Sequence, residues 1–161
     1  MKHLVSLVIL SLVMTITSLT SSAAERQFAQ IAKLKGVESV YIGPAAMRFA
    51  GDSHFSPYHL GVFNEGIKEI RTAETIECEK QASRDSYAKI QECVNDLISR
   101  LNLELIMETY DSEDGEAVRI FSARSAQPDT DGSTPGYLLI ENNDSEDYTV
   151  VFVEVVFKSD R

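Results

Sequence analysis

Asp52, His54 and His59 stand in the order D-x-H-x4-H, and carboxylate and imidazole groups at such spacing could hold a divalent metal from one loop. With a carboxylate from Glu74 or Glu77, they would furnish a small metal-dependent or hydrolytic centre. Zinc sites, however, ask for tighter helical or strand spacing and a fourth ligand, and the sequence marks none. Two polar histidines in a surface loop are the ordinary explanation of the pattern. Glu74, Glu77 and Glu79 flank Ile76 and Cys78; in a strand, Glu77 and Glu79 share one face and Glu74 takes the other. General acid–base work needs an enclosed carboxyl with a raised pKa, whereas an acidic strand edge is ordinary solvated surface.

Nucleophilic chemistry has less to build on. There is no G-x-S-x-G elbow and no cysteine beside a glycine-rich turn with a nearby histidine. Walker and dinucleotide fingerprints are also missing. The sequence therefore marks no catalytic residue, no definite metal-ligand set and no cofactor. Acidic turns offer calcium hard oxygens at Asp111, Glu113 and Asp114, at Asp129 and Asp131, and from Asn142 to Asp147. None fits the twelve-residue EF-hand loop, and acidic turns also serve solubility, so a calcium-stabilised module is a third reading. Asn143-Asp144-Ser145 matches the glycosylation sequon in form.

Cys78 and Cys93 are the two cysteines. In an exported protein they could form a disulfide closing a short loop, contributing about 3 kcal/mol on the chain-entropy model. Two buried, reduced thiols acting as small apolar groups fit the sequence as well.

The elements that must position these residues follow from periodicity. Glu25 to Lys35 reads as a short amphipathic helix carrying Phe28, Ile31, Ala32 and Leu34, with Gly36 as its left-handed stop. Val37 to Ile42 is a strand, and Pro44 opens a short helix through Phe49. Gly51 to Gly66 reads as a loop. Ile67 to Glu77 is a strand with Ile70, Thr72, Glu74, Ile76 and Cys78 on one side. From Ser83, a candidate N-cap, Tyr87, Ile90, Val94, Leu97, Ile98 and Leu101 recur at helical spacing. Leu103 to Tyr110 and Glu116 to Ala123 form a hairpin across an acidic, glycine-ended loop; Gly136 to Glu141 and Tyr148 to Lys158 form a second.

The last strand is apolar on both sides, with Val151, Val153, Val155 and Phe157 on one face and Val150, Phe152 and Val156 on the other. Such a strand is central, or it belongs to an association surface; the central place is preferred. Strands ending in consecutive hairpins give an α+β class: a largely antiparallel sheet of about six strands packed against one long and one or two short helices.

The first 24 residues read as a signal peptide, with Lys2, an apolar run from Leu4 to Leu19 and small residues Ser22-Ala23-Ala24 for cleavage. This leaves 25–161 as a single domain, periplasmic or secreted, with no stable membrane anchor after cleavage. The formal net charge of −10 becomes one unit more negative when Lys2 is lost. So acidic a surface repels nucleic acid and anionic lipid.

The early Phe28, GVESVYIGPAAMRF (Gly36 to Phe49), IKEIRTAETIECE (Ile67 to Glu79), the long helix, LELIMETYDSEDGEAVRIFSA (Leu103 to Ala123) and the apolar last strand together resemble the exported bacterial family known as domain of unknown function forty-two fifty-two. The resemblance spans nearly all of 25–161 and implies a bacterial envelope protein, without implying any catalytic residue. Many members look like lipoproteins; this chain departs from them in lacking a cysteine near the cleavage point. The expected function is a non-enzymatic module that binds another protein, with a small periplasmic enzyme as the alternative.

Overall fold

A computed structural model describes residues 26–50, 66–113 and 115–159. Residues 1–24, read from the sequence as a signal peptide, and Asp52, His54, His59 and Asp114 lie outside the described residues. The chain order is a single 3-10 turn (Ile31–Lys33), β1 (Val37–Ile42), α1 (Pro44–Ala50), β2 (Ile67–Glu79), α2 (Arg84–Arg100), β3 (Glu104–Asp111), β4 (Glu116–Arg124), β5 (Thr134–Asn143) and β6 (Asp147–Phe157). The six strands make one antiparallel sheet in the order β1-β2-β6-β5-β4-β3. The fold class is α+β, as the pattern of elements requires.

Two local units build the sheet. β1 and β2 form one, β3 to β6 a meander, and the last strand joins them by pairing with β2 over its whole length. That place explains the composition of β6. Phe152 and Val150 lie in the core beneath α2, while Val151, Val153, Val155 and Phe157 lie in a second core on the opposite face. A strand flanked by partners on both edges and buried on both faces needs apolar residues at successive positions. Its apolar pattern is therefore core, not contact surface.

α2 connects β2 to the far edge of the sheet. Its 3.6-residue apolar recurrence buries Ile90, Val94 and Leu97 fully, with Tyr87, Cys93, Ile98 and Leu101 packed around them. Asn102 ends the helix in the left-handed region at φ 51°. Its amide donates to the Ser99 carbonyl and that of Leu103 donates to Ile98, which satisfies two carbonyls a helix end otherwise leaves open. Ser83 precedes the helix as expected but makes no side-chain cap; its hydroxyl turns to the Gly36 carbonyl at 3.5 Å instead. Gly36 has φ +72°, and a Cβ there would fall 1.9 Å from the Ser83 Oγ. The backbone angle is what calls for glycine; the hydroxyl of Ser83 would in addition have to turn away from any larger residue.

Two expectations are corrected. The N-terminal helix over Glu25 to Lys35 is only the 3-10 turn among its described residues. Eleven residues are too few to hold an isolated helix in water, and here the Phe28 amide is engaged by Glu74 rather than by a preceding turn. In β2, the pairing register shifts between Ile67 and Glu69 and again between Ile70 and Thr72. A bulge inserts one unpaired residue and switches the alternation. Ile70 consequently joins the core opposite α2, while Ile76 and Cys78 remain beneath the helix.

The loop before β5 is tied down by charge. The Lys68 ammonium pairs with Asp131, whose carboxylate also accepts from the Ser133 hydroxyl and amide. The Lys68 bond, then those from Ser133, hold the Asp131 carboxyl well below the usual carboxylate range. Because its folded pKa is depressed, the stability it contributes is present above the unfolded value of about 3.9 and is lost as pH falls through the folded one. Asp131→Asn should therefore lower the urea midpoint at pH 6, and the gap from the unaltered protein should close progressively below pH 4. A constant gap down to pH 2 would show that charge is not the cause.

Candidate functional site

Ionisable groups beneath α2 are used to hold the chain together. Glu74, 3% exposed, accepts from the Arg26 Nε at 3.2 Å and from the Phe28 amide at 3.2 Å. Arg26 also lies 5.0 Å from the centre of the Tyr41 ring; burial first, then the Glu74 charge, raises the Tyr41 hydroxyl pKa. Glu74 thus clamps the entry of the chain into the core. Glu77 lies three residues on from Glu74 in an unshifted part of β2 and so takes the opposite face; β2 does not bring the two carboxylates together.

A second cluster spans β4, β5 and β6. The Tyr148 hydroxyl donates to Glu141 Oε1, and the Arg119 Nη2 lies 2.8 Å from Oε2 as a charge contact rather than a well-aligned hydrogen bond. Burial, then the Glu141 charge and hydrogen bond, push the Tyr148 hydroxyl far above its ordinary pKa, which keeps it a donor. Tyr87 closes the group from α2 with an edge-to-face contact to Tyr148 at 5.2 Å. Nothing in the local pattern marks this cluster: Glu141 stands at the polar end of a short strand, and only the pairing of β5 with β4 and β6 buries it.

Cys78 and Cys93 are free thiols, and both contribute to the core beneath α2. Burial is the main reason each thiol pKa is raised, with Asp147 adding to the effect at Cys78 and Asp96 at Cys93. Neither has the electropositive setting of a nucleophilic thiolate. Among the described residues, no group of three or more His, Cys, Asp or Glu side chains is placed to hold a metal ion. Asp131 is occupied by Lys68 and Ser133, and Asp144 accepts from the Glu146 and Asp147 amides in its own turn. No helix of the described residues is long and apolar enough to cross a membrane.

The feature suited to recognition lies at the sheet edge. Among the described residues, β3 pairs with β4 on one side only. It also carries the large apolar side chains that stand exposed among the described residues: Leu105 at 49%, Ile106 at 48% and Tyr110 at 70%. The β3–β4 register shifts between Leu105 and Met107, which leaves Ile106 as the extra residue of a bulge. At the other end, Thr109, Tyr110, Asp111, Glu113, Glu116 and Val118 line a shallow cleft. Asp111 and Glu116 are directly opposite one another across the ladder. Like charges so placed are mutually unfavourable, and the Asn142 amide relieves this only in part by donating to Glu116 at 2.8 Å.

The sequence marks this strand as the first of a hairpin and assigns it no role. The run Leu105-Ile106-Met107 between acidic residues was the available signal, but whether a strand is edge or interior depends on sheet order. No protein-family model, curated protein or solved structure matches the chain.

Proposed function

We propose that this chain is an exported module of the bacterial envelope that binds another protein through the β3 edge, without catalysing a reaction. The observation carrying this reading is the free edge strand with Leu105, Ile106 and Tyr110 exposed along it. The bulge at Ile106 and the exposed acids protect this edge against indiscriminate pairing, while unpaired strand groups beside exposed apolar side chains still invite a complementary chain. The engagement of Glu74, Glu141 and Asp131 in structural contacts supports a binding role over an enzymatic one. Membership of the family that the sequence resembles, export by the leader over 1–24 and a periplasmic or secreted location belong to the same proposal.

The test is crosslinking in the native envelope, with a photoreactive residue placed at Leu105 or Tyr110 and a control placed at Lys89 on α2. After stringent capture, mass spectrometry should find one envelope protein enriched at the edge positions over the control. If neither the edge nor α2 captures a protein above an unrelated exported control, the binding role is refuted.

A further inference from the structure

Resting on the binding role above, we infer that the occupant of the β3 edge is an extended segment of another protein in which apolar residues alternate with Lys or Arg. Three observations lead there. Among the described residues the backbone of β3 is paired on one side only, so a partner strand can supply hydrogen bonds along its outer side. The eight residues of β3 present about 26 Å of edge at about 3.3 Å per residue. Leu105 and Tyr110 then offer apolar surface to alternate side chains of that partner.

Charge selects among such partners. Glu104, Glu108 and Asp111 are exposed on β3, and Glu113 and Glu116 continue the acidic run round the turn. Cross-strand opposition of Asp111 and Glu116 leaves a place where an incoming ammonium or guanidinium would relieve repulsion rather than create it. A second copy of this chain is the wrong occupant by the same reasoning. Antiparallel self-pairing centred on β3 would set Glu104 against Asp111, between two molecules that each carry a net charge of −10. An acidic edge therefore rejects its own kind and admits a basic strand.

The test titrates the purified protein with three labelled ten-residue peptides: alternating Lys and Val, alternating Glu and Val, and alternating Lys and Ser. Fluorescence anisotropy reads affinity and amide hydrogen exchange locates the bound peptide. The Lys–Val peptide should bind at least tenfold more tightly than either control, weaken by a further tenfold between 50 and 500 mM NaCl, and slow exchange in β3. The surface double variant Glu108→Lys, Asp111→Lys should lose at least tenfold in affinity for it, with an unchanged circular dichroism spectrum. Should that variant unfold, Tyr110→Ser, which removes only an exposed ring, serves in its place and should weaken binding at least threefold. Equal binding of the Glu–Val peptide, protection confined to another surface, or a dimer formed through β3 would each overturn the inference. Envelope crosslinks at Tyr110 would then still uphold the binding role, so the two claims fail separately.

Discussion

Phe28→Ala should cost the fold about 3–5 kcal/mol, the range for truncating a large aromatic side chain in a packed core. Phe28 is fully buried and meets the Phe152 ring edge-to-face at 6.4 Å. It is also part of the Glu74 clamp, since its amide donates to that buried carboxylate. Truncation would leave a void between β6 and α2 that neither element can close without moving the other. Urea denaturation should show the midpoint falling with its slope unchanged. A loss below about 1 kcal/mol would mean that this segment packs on the sheet without being part of the cooperative unit.

Arg119→Met should destabilise by about 3 kcal/mol, the low end for removing one partner of a buried ion pair. Glu141 is 2% exposed, and without Arg119 its charge is left to the Tyr148 hydroxyl alone. The low end applies because Arg119 is itself 42% exposed on its side chain, so water already screens part of the attraction. Contact between the Arg119 guanidinium and the Phe121 ring, at 5.6 Å, is lost as well. The double variant Arg119→Met, Glu141→Gln should regain more than half of the loss, because it removes the buried charge while keeping an acceptor for Tyr148. If the two losses simply add, the pair is not coupled and the cluster is not the unit described above.

Both substitutions act on contacts that join distant parts of the chain, and this is where the sequence stopped being informative. Within an element, local physics was legible. The recurrence from Tyr87 to Leu101 specified α2, Pro44 opened α1 and Gly36 marked a left-handed turn. The two hairpins also follow, because acidic and glycine-bearing loops separate runs of alternating or β-branched residues. Even the interior position of β6 was readable, since seven apolar residues distributed over both faces need cover on both.

What the sequence by itself determined was the six strands, α1, α2 and the α+β class, but not the 3-10 turn that stands in place of an N-terminal helix. Those follow from side-chain periodicity and turn chemistry acting over a few residues. Tertiary structure decided the rest: that β6 returns between β2 and β5, that bulges send Ile70 to the opposite face, and that β3 is left at an edge. Burial of Glu74 and Glu141 was decided there too. A glutamate in a strand looks the same on paper whether it meets water or an arginine. Its environment is set by which strands lie beside it and what covers the face, and those are long-range contacts that no local pattern encodes.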